Sequence, residues 1–559
     1  MASKRYFEFS EGTSNKFWEV WREGAQVFTR YGKIGAAGQV TVKKLGADAD
    51  AKKLLDKLVG EKTGKGYVEG GGKKAAKGAG KAAAADDLIV IPDGAMRLEL
   101  VEGKSAKFWQ VHRKDKTVTV TFGKIGTPGT VTKKKYDSDY AARVDAKKQL
   151  EAKKQKGYQY VIAGPRVAAA APGATNPQLE AAIVKDPADD GGYMVYGDWL
   201  MEQGDPRGPL AAIRGDDKKA QTKASAMVWK NRPVFFGPLA IYTVEKPDRH
   251  SAVAAEWKQG WMTKLRLSAV SSWREGQLPV SDCSELVRLL PKVTSARLLR
   301  ELVIGCPRVE DEFYFGNTIT ELVKAMPALP NLRRLVLGDF TYEDSELSWS
   351  HLGSLQELWK HAGKLEYLKI HAGNIALGKI NAPELRELWI ESGGFDNANL
   401  DELMKGHLPK LETLNIWMGQ DNYGCDIRPK NLAKFIDGLA KKFPKLRHLG
   451  LANSQWGNEI APLLVKSKIL GQITSLNLSM SHLTEEGMRV YAAHKDAFKH
   501  LTSLDVSRCL LGNEGKKLAK ALCKNVDVDR QDDPSDHQPE EGDDADPEDI
   551  WWRYSAVGE

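Results

Sequence analysis

Sliding the chain against itself by 91 residues brings two stretches into ungapped register, and no other feature constrains the fold as strongly. Tyr31-Gly32-Lys33-Ile34-Gly35 returns as Phe122-Gly123-Lys124-Ile125-Gly126, Phe17-Trp18 as Phe108-Trp109, Lys43-Lys44 as Lys134-Lys135, and Gly66-Tyr67 as Gly157-Tyr158. Across residues 17–67, 21 of the 51 aligned pairs are identical. A fixed internal period marks a structural unit used twice. Within each copy, short alternating runs (17–21, 26–31, 118–122) read as strands, with turns at Glu23-Gly24 and Lys114-Asp115-Lys116. A helix is expected over residues 49–62 and again over 139–154, the second with a face rich in Lys147, Lys148, Lys153 and Lys154. Glycines on both sides of Lys33 and Lys124 predict a tight turn that presents the lysine. The recurring Trp18, Trp109 and Gly-Tyr pairs read as core.

An aromatic-Gly-basic-Ile-Gly turn after a Lys-Phe-Trp strand resembles the WGR domain, named for its Trp-Gly-Arg core. That family occurs in DNA-damage-responsive poly(ADP-ribose) polymerases and in bacterial proteins similar to the molybdate metabolism regulator. The resemblance implies small α+β modules over residues 3–70 and 94–162 that bind nucleic acid, DNA in preference to RNA, at or near strand ends. Carried over by position, Tyr31 and Phe122 stand where the family's aromatic packs on a terminal sugar. Lys33 and Lys124 stand where its arginine sits. A smaller ring still offers a π-face, and lysine offers a point charge in place of a planar fork. Lys43, Lys44, Lys134 and Lys135 complete the expected nucleic-acid-binding set.

The charge distribution agrees. The net +8 is the sum of opposed ends: residues 1–170 hold 34 Lys and Arg against 19 Asp and Glu, whereas residues 527–559 hold 13 acids against two arginines. A basic front half is the footprint of a nucleic-acid binder, or else a well-solvated lysine surface. Residues 71–93 (Gly, Ala and Lys) and 163–175 (Ala, Pro and Gly) read as linkers. The acidic tail, 527–559, ends in an aromatic cluster of Trp551, Trp552 and Tyr554. It is expected either to contact the basic modules within the chain or to cap the repeats that precede it.

From Asn176 the pattern changes. Asn176-Pro177 is an N-cap followed by proline at the first helical position, and a second helix is expected from Tyr193. Residues 176–216 resemble a small helical domain that accompanies repeat proteins in some bacteria, and 217–261 reads as a connecting segment. Residues 262–526 repeat Leu-x-x-Leu-x-Leu, from an irregular Met262-Leu265-Leu267 to Leu501-Leu504-Val506, at intervals of 20 to 35 residues between first positions from Leu299 onward. Helices are expected over 431–442 and 485–494. The last two copies resemble the ribonuclease-inhibitor type of leucine-rich repeat, which implies an α/β horseshoe. The fold class expected is thus multidomain: two α+β WGR modules, then an α/β leucine-rich-repeat horseshoe. Alternation along each strand buries the leucines and turns the intervening residues to a concave face. Tyr367, Lys369, Trp389, Trp417 and His448 are the candidate protein-binding residues there. Exposed Trp389 and Trp417 imply a partner, unless a loop such as 341–350 covers them.

Five scattered cysteines without a Cys-x-x-Cys pair read as reduced thiols, Cys509 as a ladder residue. No apolar run approaches the ~18 residues of a membrane span, and no leader-like segment opens the sequence, so a cytoplasmic protein is expected. Position 98 is Leu where a P-loop ending at Lys104-Ser105 needs glycine, and no His-Glu-x-x-His or Gly-x-Ser-x-Gly appears. Neither an enzyme, a cofactor nor a metal is expected. Two readings follow: an adaptor that joins nucleic acid to an unidentified protein held on the repeats, or a regulatory protein–protein scaffold whose modules no longer bind nucleic acid.

Overall fold

The computed structural model describes residues 5–11, 14–23, 25–33, 39–44, 48–64, 68–69, 88–89, 95–102, 105–161, 164–165, 173–186, 189–213, 218–270, 279–309, 312–533 and 554–555. They fall in two compact units, Met1–Arg166 and Val167–Glu559. The 71–93 linker lies almost wholly outside the described residues, as do Trp551 and Trp552.

In the first unit the two copies of the duplicated sequence fold alike. Copy one runs β1 (Arg5–Glu11), β2 (Ser14–Glu23), β3 (Gln26–Lys33), β4 (Gln39–Lys44), α1 (Asp48–Gly64) and β5 (Val68–Glu69), with the strands in the order β4-β3-β2-β1-β5. Copy two runs β6 (Ala95–Glu102), β7 (Ser105–Lys114), β8 (Thr117–Lys124), β9 (Thr130–Lys135), α2 (Asp139–Lys154) and β10 (Gln159–Val161), in the order β9-β8-β7-β6-β10. Every pairing in both sheets is antiparallel. Register is duplicated as well: Trp18 lies opposite Tyr31 and Trp109 opposite Phe122, while Lys16 faces Lys33 and Lys107 faces Lys124. Side chains two apart on a strand, and those directly opposite, share a face. That face is the one the helix covers. Ala142, Ala146 and Leu150, one per turn of α2, are fully buried with Leu98, Val111 and Trp109. In copy one Ala51 of α1 joins Phe7, Trp18, Val20 and Val27.

The second unit opens with α3 (Pro177–Lys185) and α4 (Asp190–Glu202). The Asn176 carboxamide caps α3 as expected, accepting from the N–H groups of Gln178 and Leu179. Helix α4 begins three residues before Tyr193, because Asp189 accepts from Gly191 and Gly192 N–H and so holds two glycines in the first turn. These helices are not a free-standing domain. Tyr193, Tyr196 and Leu200 share a core with Trp261 and Leu298, and the rings of Tyr196 and Trp261 lie 4.7 Å apart. Arg207 is wholly buried, donates to Asp205 through Nε (2.9 Å) and Nη2 (2.7 Å) and to the Ala174 carbonyl, and sits 4.7 Å from the Trp261 ring.

The helices cover one end of an eleven-stranded sheet whose strands lie in sequence order. It starts inside the stretch read as a connection: β11 (Val253–Lys258) and β12 (Trp261–Leu267) form an antiparallel hairpin. Gln259 and Gly260 both have positive φ, 46° and 85°, the two-residue turn that matches strand twist. Parallel strands follow: β13 (Glu301–Ile304), β14 (Arg334–Leu337), β15 (Tyr367–His371), β16 (Glu387–Glu391), β17 (Thr413–Gly419), β18 (His448–Ser454), β19 (Ser475–Asn477), β20 (Ser503–Asp505) and β21 (Val526–Asp527). Leu265, Leu302, Leu335, Leu368, Leu388, Leu414, Leu449, Leu476 and Leu504 are direct neighbours along this sheet, each no more than 2% exposed. Helices return the chain between several of these strands, for example Gly316–Ala325 after β13, α5 (Pro429–Lys442) and α6 (Glu485–Ala493), the last two close to the expected spans. Only 20 residues separate Leu365 from Leu385, and no helix forms between β15 and β16.

Cys509 is buried and its thiol donates to the Leu478 carbonyl; burial pushes it up to about 12, which removes it as a nucleophile. Of the tail's aromatic end, Tyr554 is buried on this unit. Its N–H donates to His482 Nδ1 at 3.1 Å, and Ser555 bridges Ser481.

Replacing Arg207 with alanine leaves Asp205 buried without its ion pair and should cost about 3–5 kcal/mol in a denaturation midpoint. Burial alone would raise the Asp205 pKa, but bonds from Arg207 and from the Ala174 amide hold it below the usual carboxylate value. The pair's contribution is therefore complete at neutral pH and is lost as pH falls through that lowered value. Asp205→Asn should flatten the acid limb of a stability–pH profile; an unchanged limb would contradict this assignment.

Candidate nucleic-acid interface

Phe122 is held at a strand end by two glycine backbones. A Cβ on Gly123 would fall 2.9 Å from Gly129 Cα, and one on Gly129, whose φ is +73°, would fall 2.6 Å from Phe108 Cζ. The chain between them turns tightly. Thr127 N–H donates to the Lys124 carbonyl at 3.1 Å, and Gly126, with φ 84°, supplies the left-handed residue such a turn requires. The turn thus starts at the lysine, and Gly123 is still part of β8. Phe122 remains 42% exposed although its neighbours Trp109 and Val120 are buried.

A cleft of 510 Å³ opens beside Phe122. Lys107 and Lys124 line it from opposed positions on β7 and β8, and Lys153 and Tyr158 line it from the end of α2 and the segment after it. Lys153 Nζ lies 5.1 Å from the Tyr158 ring centroid and 5.8 Å from that of Trp109. Burial, then the like charges of Lys156 and Lys107, hold the Lys153 ammonium below the usual lysine value. Among the described residues no carboxylate lines the cleft. Cations crowded at the cost of mutual repulsion, next to a half-exposed ring, suit a ligand that is anionic and has a flat face.

Copy one repeats the arrangement where it is described. Tyr31 is 41% exposed at the position of Phe122, and Lys62 Nζ lies 5.6 Å from the Trp18 ring as Lys153 does from Trp109. The side chains of Lys33 and Lys44 lie outside the described residues; Lys43 is exposed.

The expected set is therefore divided. Phe122 and Lys124 meet in the cleft. Lys134 and Lys135 are exposed on the outer strand β9, but Thr130 is the residue opposite Phe122, so Lys134 lies four residues away, roughly 13 Å along the strand. Lys134 instead approaches the Tyr136 ring at 4.6 Å. Lys107, Lys153 and Tyr158 were not among the expected contacts. Their signal was available: Lys16, Lys62 and Tyr67 recur at the same offset.

On the second unit, one row of outward side chains crosses the sheet as Arg266, Val303, Val336, Lys369, Trp389, Asn415, Gly450, Asn477, Asp505 and Asp527. The N-terminal half of this face is neutralised internally. Glu301 is 3.3 Å from both Lys264 and Arg334, Arg334 stacks 3.7 Å over Tyr367, and Glu391 is 2.8 Å from both Lys369 and His371. Burial pushes Glu391 up, yet the bonds from His371 and Lys369 leave it below the usual value. Lys369 lies in a 580 Å³ cleft with His371 and Glu391, whereas Trp389 and His448 line a separate hollow of 260 Å³. Trp389 and Trp417 are half-buried, not open. Trp417 packs edge-on to His371 at 6.1 Å, and Phe340 covers the same imidazole at 4.8 Å.

The WGR domain family model matches residues 3–74 and 95–164. The chain carries two WGR domains. Each is a nucleic-acid-binding module in the polymerase-like and molybdate-regulator proteins that contain it. Escherichia coli (strain K12) protein YehF is 38% identical over 65 residues, 12% of this chain and 24% of YehF; the uncharacterized protein YfeS of the same strain is 35% identical over 66 residues, 12% of this chain and 27% of YfeS. The chain thus spans about a quarter of the length of these relatives. A Bacteroides fragilis protein of known crystal structure aligns at TM-score 0.41 and 22% identity, over 78% of this chain and 97% of its own.

No helix among the described residues is long and apolar enough to cross a membrane.

Gly129→Ala should disorganise the second WGR domain locally, because the added carbon meets Phe108 and the Phe122 carbonyl. The expected reading is loss of dispersion of the Phe122 and Phe108 ring signals in NMR spectra, with those of Tyr196 and Trp261 unmoved.

Proposed function

We propose that the chain is a non-enzymatic, cytoplasmic adaptor: its WGR domains bind nucleic acid, DNA in preference to RNA, and its second unit holds a protein partner. The carrying observation is the cleft in which Lys107, Lys124 and Lys153 converge on Phe122 with no carboxylate among its lining. Phosphates take the place of the missing counter-charges, and Phe122 packs against a sugar or base. The repeated Leu-x-x-Leu-x-Leu ladder and the in-order parallel strands support reading the second unit as a ribonuclease-inhibitor-type leucine-rich repeat. Its outward row supplies the partner surface. Residues 176–216 act as the cap of that repeat, through Tyr196, Arg207 and Trp261.

The test is a binding panel with the full chain on blunt, nicked, single-stranded and closed circular DNA and on RNA, repeated over a range of salt. Affinity should fall steeply with salt, each neutralised phosphate contributing about 0.9 to the log–log slope on duplex DNA. Phe122→Ala should weaken binding by about 1–3 kcal/mol, the worth of a stacked base, and should do so more on ligands with ends than on circles. Affinity that does not change with salt would favour the protein-only scaffold.

Lys153 gives a second handle. Its ammonium loses its proton at lower pH than an ordinary lysine, so wild-type affinity should begin to fall on the alkaline side while Lys153→Arg holds. Parallel decline of the two proteins would remove Lys153 from the contact.

A further inference from the structure

The C-terminal half of the outward row differs from the rest of the sheet face, because among the described residues its polar groups are tied up in bonds to serines and main chain, not in ion pairs. Asn415 is only 4% exposed, and its carboxamide makes no side-chain hydrogen bond among the described residues. It lies across the bare backbone of Gly450, where a Cβ would fall 1.7 Å from Asn415 Oδ1. Asn477 spends its oxygen on Ser479 N–H, which leaves its NH₂ facing the hollow. Asp505 accepts from the Ser507 N–H and hydroxyl, but no cation pairs with it among the described residues. Trp389 walls the hollow on the side of Glu387, which accepts its indole N–H at 3.4 Å. Among the described residues no lysine or arginine lines this hollow.

We propose that this hollow binds an extended, lysine-bearing segment of a partner protein. The proposal rests on the reading of the sheet face as a protein-binding surface and names the chemistry that it selects. A carboxamide offers an acceptor and two donors, the complement of a peptide group, so Asn415 clamps main chain through both kinds of group while Asn477, its oxygen taken by Ser479 N–H, adds donors only. Trp389 packs the aliphatic stem and ammonium of a lysine, and Asp505 supplies the counter-charge. Trp389 and Asp505 stand four strands apart, roughly 19 Å at the usual strand spacing, a span that about six extended residues cover. Phosphate and carboxylate ligands are excluded by Asp505 and by the absence of a lining cation. Nucleic acid is therefore left to the WGR domains.

The experiment measures fluorescence anisotropy with the full chain and a labelled, end-blocked peptide of the sequence at residues 70–81, which holds four lysines among glycine and alanine. A peptide with glutamate at those four positions serves as the opposite charge. The lysine peptide should bind and the glutamate peptide should not. Trp389→Ala should weaken binding roughly ten-fold. Asp505→Asn, which keeps the bonds to Ser507, should weaken it several-fold and reduce its salt dependence, and Tyr314→Ala, away from the hollow, should leave it unchanged. Thermal melts identify any variant that fails to fold, and the isosteric Asp505→Asn carries the test if Trp389→Ala does. Equal binding of both peptides, or no response to Asp505→Asn, overturns the lysine class. If the glutamate peptide binds instead and depends on Trp389, the protein-binding face stands and only its charge preference falls. If neither peptide binds, both readings fall. Should removal of residues 70–81 from the chain tighten binding of the added peptide, the occupant is the chain's own linker and the partner reading is overturned.

Discussion

Strand register governs both units of this protein. A strand turns successive side chains to opposite faces, and a slip of one residue would exchange them all. In the WGR domains that rule sets Lys107, Trp109, Phe122 and Lys124 on one face. The same face serves as core near the middle of α2 and lines the cleft near its end. In the large sheet the rule places nine leucines in one buried ladder and their neighbours in one outward row. The cleft and the hollow are consequences of what the cores require. Phe122 stays 42% exposed at the side of the cleft, and Trp389 borders a hollow two strands from Gly450, whose bare backbone leaves room for the Asn415 carboxamide to lie across it.

How much of this was legible in the sequence depends on the range of the interaction concerned. The duplication, the leucine spacing and the Asn176 cap are local or periodic signals, and the structure carries each of them. The start of α4 was misjudged because Gly191 and Gly192 suggest a loop, whereas the Asp189 carboxylate offsets their low helix propensity. The opening hairpin was read as a connection because its turn residues, Gln259 and Gly260, lack the Asn-Gly signature. Lys153 and Lys107 escaped for a different reason. Helical periodicity places Lys153 on a densely cationic face of α2 and the recurrence of Lys62 and Lys153 singles it out, but that it approaches the Trp109 ring depends on how α2 packs over the sheet. The half-buried state of Trp417 depends on His371 and Phe340, far apart in sequence, and no pattern in the strand itself announces it.

The two surfaces also differ in how their charges are settled. Across the N-terminal half of the sheet, Glu301, Glu387 and Glu391 each have a cation within 4.0 Å. A polyanion approaching that face would have to break ion pairs that already exist, and exposed pairs exchanged one for another yield little net free energy. The WGR cleft has no such internal settlement. Burial, then the like charges of Lys156 and Lys107, lower the proton affinity of Lys153, and among the described residues no carboxylate lines the cleft to offset its ammonium groups. A bound anion would supply that offset. The whole chain's net charge of +8 does not distinguish these two surfaces; the distribution of paired and unpaired charge does.

Comparison of the two WGR domains with each other shows which parts are variable. The residues that line the cleft in copy two have counterparts in sequence at the 91-residue offset: Lys107 matches Lys16, Lys124 matches Lys33, Lys153 matches Lys62 and Tyr158 matches Tyr67, while Phe122 takes the place of the aromatic Tyr31. The support beneath Phe17 and Phe108 does not recur. Tyr6 stacks on Phe17 at 5.7 Å with Arg30 on the ring at 5.2 Å, whereas Arg97, at the position of Tyr6, lies 4.0 Å from Phe108 and is tied to Glu99. Either support presents the ring with a flat partner and keeps the guanidinium paired with a carboxylate on the face away from the helix. Packing of that kind tolerates exchange because dispersion and cation–π contacts depend on shape more than on residue identity. A cleft that gathers like charges has no such latitude, since moving one ammonium alters the field on the others. The copies therefore differ where the physics permits substitution and agree in core residues such as Trp18 and Trp109 and in the lysines that line the cleft in copy two.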